Sequence, residues 1–139
     1  MNARKCLIIV WTLTLWALLA PATHAAEPVS LAGDWRFRID QQKVGVAERW
    51  FAAALAGEQR IKLPGTMDDA GLGPKNIKPP TLEGPYRLYD YAGPAWYQRE
   101  IDIPANWQGQ RVTLLLERCR WVTSVWLDEK EIGTRDSLI

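Results

Sequence analysis

Histidine is nearly absent from this chain of 139 residues, and cysteine is scarce: His24 is the single histidine, and Cys6 and Cys119 are the two thiols. His24 lies at the boundary of a leader-like N-terminal segment, so no histidine remains beyond it for a Ser-His-Asp set, and no cluster of His or Cys at metal-binding spacing is present. No glycine-rich phosphate loop precedes a helix either, and nothing in the chain calls for a cofactor or a metal. There is no excess of one charge, with 17 Lys and Arg against 16 Asp and Glu. No basic stripe is present, which argues against nucleic acid as a partner. Long apolar runs are absent except one, Leu7 to Ala20, which is 14 residues long and includes Trp11 and Trp16. Crossing a bilayer takes roughly 20 apolar residues, so this run is short for an anchor.

The run is flanked as a leader would be. Arg4 and Lys5 precede it, Pro21 breaks it, and the small residues Ala22, Thr23, Ala25 and Ala26 follow. Basic, apolar, breaker and small residues in that order predict a secretory signal over residues 1–25, cleaved after Ala25. The mature part is then 26–139, exported to a periplasm or the extracellular space, with no stable membrane anchor after cleavage. Removal of Arg4 and Lys5 leaves 15 basic against 16 acidic residues, about −1 in net charge. Cys6 leaves with the leader, so Cys119 stands alone and no internal disulfide forms. Cys119 is expected as a small, mostly buried side chain rather than a nucleophile.

The mature chain is patterned as strands. Trp35, Phe37 and Ile39 alternate with Arg36, Arg38 and Asp40, the period of a half-buried strand. Val46, Trp50, Phe51, Ala54 and Leu55 recur at helical spacing ahead of Gly57, which predicts one short helix or helical turn within 41–57. Residues 60–63 read as another extended piece. The stretch 64–94 holds six prolines and five glycines in 31 residues, a density that forbids a continuous helix or central strand. It is expected as an ordered surface loop with Leu82, Tyr86, Leu88, Tyr89 and Tyr91 as anchors. Extended segments follow at 96–103, 112–117 and 122–127, with both faces of the second partly covered. A reversal at 128–130 then leads into a return strand. Such spacing, with almost no helix, predicts an all-β sandwich or barrel. The chain ends while its edges are still open, so the sandwich is expected to be incomplete at the C-terminus.

Few residues carry chemistry. Glu100 and Asp102 share a strand face, roughly 6.6 Å apart along the backbone, and point the same way. A retaining glycosidase needs carboxyls about 5–5.5 Å apart that flank one sugar. These two are expected as a charged exposed face, and Asp68 and Asp69 as loop chemistry. Six tryptophans lie beyond the leader: Trp35, Trp50, Trp96, Trp107, Trp121 and Trp126. Indole faces stack on the C–H faces of sugars, but aromatics also fill sandwich cores. Core packing is expected for Trp35 and Trp126. Trp96 and Trp107, at a strand start and a turn, are placed where a ligand could reach, with rim or domain-contact packing as the alternative.

Several short motifs come in one order. They are Gly33-Asp34-Trp35-Arg36-Phe37, Leu63-Pro64-Gly65, Gly93-Pro94-Ala95-Trp96-Tyr97-Gln98-Arg99, Ile103-Pro104, and Val125-Trp126-Leu127-Asp128 with Ile132-Gly133. From about Leu31 to the last residue the chain resembles the N-terminal sugar-binding domain of glycoside hydrolase family 2, which includes β-galactosidases, β-glucuronidases and β-mannosidases. The resemblance implies a galactose-binding-like jelly-roll β-sandwich, followed in complete members by an immunoglobulin-like sandwich and a (β/α)₈ barrel. It implies hydrolysis of O-glycosidic bonds with retention, by two glutamates at the C-terminal ends of barrel strands. No position here matches either glutamate, so no catalytic residue is assigned and the 139 residues alone are expected to be inactive. The implied partners are a carbohydrate substrate, met through the complete enzyme, and the C-terminal domains of the same protein. In that family the first domain supports the barrel and sometimes lends a loop to the pocket's rim. Arg99 is therefore a candidate substrate-binding residue beside Trp96, with a structural ion pair as the other reading. The alternative function is a stand-alone secreted carbohydrate-binding module.

Overall fold

The structure, a computed structural model, describes residues 28–57, 59–80 and 86–136. The leader over 1–25, with Cys6 and His24, lies outside the described residues, as does the expected anchor Leu82. Strands β1 (Gly33–Ile39), β2 (Arg60–Leu63) and β3 (Ala95–Gln98) form an antiparallel sheet in the order β2-β1-β3. Strands β4 (Val122–Leu127) and β5 (Lys130–Asp136) form an antiparallel hairpin. Two short 3₁₀ turns, Trp50–Ala52 and Ala105–Trp107, are the helical elements among the described residues. The all-β class expected from the sequence is the class observed.

The alternation along β1 determines the core. Its register sets Trp35 opposite Ile61, Phe37 opposite Tyr97 and Ile39 opposite Ala95, so the apolar side chains of three strands share one face. Phe37 and Ile61 are fully buried there, and Leu72 and Met67 close the face from the proline-rich segment. Phe37 meets Tyr97 edge to face, with centroids 5.1 Å apart. Full burial of one such side chain stabilises the fold by about 1.5–3 kcal/mol.

The described parts of 64–94 are held by their own polar groups. Thr66 Oγ1 accepts from the Asp69 amide at 3.1 Å and donates to Asp69 Oδ2 at 2.6 Å. Asp68 Oδ1 accepts from the Tyr89 amide at 2.8 Å, tying the two ends of the excursion together. Lys75 and Tyr89 form an isolated bridge beside Asn76 N to Leu88 O at 2.8 Å and Asp90 N to Pro74 O at 3.0 Å. Of the expected apolar anchors, Tyr89 and Tyr91 are half-buried and pack against Gly71 and Gly73. Met67 and Leu72 reach the core, whereas Tyr86 and Leu88 are exposed.

One further expectation is narrowed and two are corrected. Residues 41–57 take the shorter of the two expected forms, a series of turns with one helical turn of 3₁₀ type at Trp50–Ala52, rather than a helix. Lys43 and Arg49 adopt positive φ, at 57° and 53°, which interrupts right-handed helix. The segment expected to be extended over 96–103 pairs only as far as Gln98. Beyond it Ile101 and Ile103 are exposed, and the Arg99 side chain is engaged by other backbone. Residues 112–117 pair with no strand among the described residues. Val112, Leu114, Leu115 and Leu116 are exposed, so neither face is covered as the alternation implied. The hairpin matches its expectation closely, with Asp128 at φ 52° in the reversal and a register shift between Val125 and Trp126.

Candidate functional site

Side chains on the two faces of the first sheet do different work. Opposite the core face, Trp96 of β3 sits beside Arg38 of β1 in register. The turn carrying Trp50 and Phe51 folds over them, and Trp126 of the hairpin completes the group. Phe51 and Trp126 stack 5.6 Å apart at an interplanar angle of 5°, and Trp96 lies 5.1 Å from Trp126. Arg38 covers the other side, its guanidinium carbon 3.6 Å from the Trp50 ring centroid. Arg49 pairs with Glu129 across the same joint. The rings thus connect the hairpin to the sheet.

One buried carboxylate holds this cluster to the backbone. Asp40 is 4% exposed and accepts from the amides of Val44 and Gly45, each at 2.8 Å, and from Trp96 Nε1 at 3.2 Å. Burial alone would push its carboxyl up. The hydrogen bonds from Gly45, Val44 and Trp96 outweigh burial and hold it below the ordinary 3.8. Gly45 must be glycine here, because a Cβ would lie 2.2 Å from Trp96 Nε1.

Arg99 stands at the opposite end of β3. Its Nη1 donates to the carbonyls of Leu31 and Ala32 at 2.8 and 2.7 Å, and Leu31 also accepts from Trp35 Nε1 at 2.8 Å. Gln98 clasps a different strip of backbone, donating to Ala53 O at 2.7 Å and accepting from Leu55 N at 2.6 Å. Arg36 pairs with Glu100 at 2.6 Å, while Asp102 is exposed. Trp96 and Arg99 are therefore not brought to one pocket. Trp35 packs against the core and Trp126 in the ring cluster, and Trp107 is half-buried in the second 3₁₀ turn. Cys119 is half-buried near Tyr97, whose phenol is raised by burial first and by the Cys119 charge second.

An open cleft of about 390 Å³ lies at the end of β1, lined by Ile39, Gln41, Gln59, Pro74 and Tyr91 among others. Tyr91 is half-buried, and its hydroxyl donates to Pro94 O at 2.9 Å. Its phenol is pushed up by burial and then by the charge of Asp40. Sequence reasoning missed Asp40, Gln41 and Gln59. Asp40 had a readable signal, a carboxylate ending a strand with small or branched residues four and five positions on, the spacing of a local side-chain-to-backbone turn. The two glutamines had none, since they lie 18 positions apart.

Residues 29–138 match the family model described as glycosyl hydrolases family 2, sugar binding domain. The chain belongs to glycosyl hydrolases family 2. The antiparallel sheets are those of its N-terminal sugar-binding β-sandwich. Among curated family members it is similar to a beta-glucuronidase of Paenibacillus borealis, 24% identical over 112 residues that cover 81% of this chain and 17% of that protein. It is also similar to a beta-glucuronidase of Canis lupus familiaris, 23% identical over 141 aligned positions that cover 92% of this chain and 20% of that protein. The chain thus spans about a fifth of the length of these relatives.

Proposed function

We propose that these residues are the leading, sugar-binding part of an exported glycoside hydrolase that cleaves β-glucuronides with retention. The observation that carries this reading is the family match over residues 29–138, together with two relatives that are both named beta-glucuronidase. The catalytic acids lie in polypeptide beyond this domain. The carboxylates here support that division of labour. Asp40 is buried under three donors, Asp68 and Asp69 are tied into the loop, and Glu100 and Glu129 face arginines. No two of these flank a space for a sugar, as a retaining pair must. Trp96 and Arg99 serve the sugar site by holding its scaffold. The exposed apolar side chains of 112–116 support contact with further domains of the same protein.

The experiment is expression of the complete reading frame that carries this chain, with its own leader. The exported product should release aryl aglycone from an aryl β-glucuronide faster than from the matching galactoside or mannoside. N-terminal sequencing should begin at Ala26. A product that hydrolyses none of the three overturns the reading. Saturable sugar binding without hydrolysis would make it a carbohydrate-binding module.

A further inference from the structure

Within the proline-rich excursion, residues 75–78 and 86–89 run side by side as a short arm. Lys75 bridges Tyr89, and Asn76 N donates to Leu88 O at 2.8 Å. The Asn76 side chain ties the arm twice more: its Nδ2 donates to Arg87 O and its Oδ1 accepts from Lys78 N, each at 3.0 Å. At the base, Tyr89 N donates to Asp68 Oδ1 at 2.8 Å. The arm is thus held by its own polar groups, yet it hides little of its apolar surface. Ile77 is 95% exposed, Leu88 63% and Tyr86 42%. The antiparallel bridge sets Ile77 across from Arg87, on the face that also carries Lys75. Lys75, Lys78 and Arg87 are all exposed. These two short segments hold three cations and no carboxylate, whereas the chain beyond the leader has 15 basic against 16 acidic residues.

We propose that this arm is a contact surface for anionic lipid, with Ile77 and Leu88 entering the bilayer interface and Lys75, Lys78 and Arg87 meeting the headgroup charge. Charge complementarity chooses the occupant: aliphatic side chains ringed by cations match a surface that is apolar beneath and negative on top. Tyr86 suits the boundary, with an apolar ring and a polar tip. The long stems of the lysines and the arginine let their heads reach the headgroups while the tip goes deeper. The arm is already ordered, so contact adds little loss of backbone freedom. Such a contact is reversible and no anchor, because one apolar tip with three cations falls far short of a spanning helix. The proposal goes beyond the sugar-binding reading and uses none of its chemistry.

Co-sedimentation with vesicles tests this, using the product of the complete reading frame that carries this chain. The probes are vesicles of phosphatidylcholine alone and of phosphatidylcholine with phosphatidylglycerol in equal parts. The protein should pellet with the mixed vesicles, stay in solution with the neutral ones, and be released by salt near 1 M, where screening acts within about 3 Å. Lys75→Gln/Lys78→Gln/Arg87→Gln should lower the partition coefficient about a hundredfold, and Ile77→Ser about tenfold. All four side chains are exposed, so the variants keep the fold, which unchanged tryptophan emission verifies. Hydrogen exchange on the unaltered protein is the second measurement. Amides of 75–78 and 86–89 should slow when the mixed vesicles are added. No pelleting, equal pelleting with neutral vesicles, or pelleting indifferent to both variants overturns the proposal. So does a side chain at 77 already covered before lipid is added, seen as a thiol of an Ile77→Cys/Cys119→Ser variant that resists maleimide. Another part of the polypeptide or a second copy would then be the occupant. None of these readouts depends on sugar binding or turnover, so failure of glucuronide hydrolysis would leave this proposal standing.

Discussion

At Asp40 three donors converge on a carboxylate with almost no contact with water, and the direction of its titration follows from that geometry. Its folded pKa is below the ordinary value. A depressed carboxyl stabilises the fold fully above its unfolded pKa of about 3.9, and that contribution is lost as pH falls through the lower folded value. Urea midpoints of the longer polypeptide, followed by tryptophan emission of this domain, should hold steady above about pH 5 and fall below about pH 4. Asp40→Asn should lower the neutral-pH unfolding free energy by about 1–3 kcal/mol and flatten the acid limb. An unchanged acid limb would mean that other carboxylates dominate. Gly45→Ala is the matching steric probe. Its methyl group would meet the Trp96 indole at 2.2 Å, so the ring must move. A loss of about 1–3 kcal/mol is expected, with a changed near-ultraviolet dichroism of the ring cluster. Wild-type dichroism in this variant would contradict the packing described.

At the scale of elements, the hairpin β4–β5 is joined to the sheet through rings rather than through charge. Phe51 stacks on Trp126, and Trp96 lies against both, while Arg49 and Glu129 are solvent-exposed. Phe51→Ala should cost about 2 kcal/mol, less than the roughly 3–5 kcal/mol of a fully buried phenylalanine, because the ring is only half-buried. Hydrogen exchange should speed up across β4 and β5 and stay unchanged across β1 to β3. Glu129→Gln should cost less than about 1 kcal/mol, as exposed ion pairs do. If Glu129→Gln loosened the hairpin as much as Phe51→Ala, charge would be the joint instead. The sequence made β1 and the hairpin legible, because alternation and a tight reversal act over a few residues. Over 41–57 it left a short helix or a single helical turn open, and the structure has the turn. The spacing of Val46, Trp50, Phe51 and Leu55 suits a helix, yet Asp40 captures the amides of Val44 and Gly45 and imposes turns. The span 112–117 alternates like a strand but lacks a neighbour to pair with among the described residues. Trp96 could be singled out from its position alone, whereas the cleft required the β1–β2 pairing that brings Gln59 beside β1.

At the scale of the molecule, the core is small and the apolar surface large. Among the described residues Phe37, Leu55, Ile61 and Leu72 are the buried hydrophobic side chains, while Ile101, Ile103, Leu115, Trp121, Val122 and Leu127 face water. A core of that size gives little margin over conformational entropy. Residues 26–139 by themselves should therefore show no cooperative thermal transition as a monomer in calorimetry, and a sharp monomeric melt would contradict that expectation. The family match spans the described residues and the chain covers about a fifth of its named relatives, which is consistent with a sugar-binding layer that leaves bond cleavage to other domains. Hydrolysis of an aryl β-glucuronide, measured side by side for the purified 139-residue chain and for the product of the complete reading frame, tests that division most directly. The account predicts turnover by the longer product and none by the chain. Turnover by the chain itself, surviving removal of contaminating hydrolases, would contradict it.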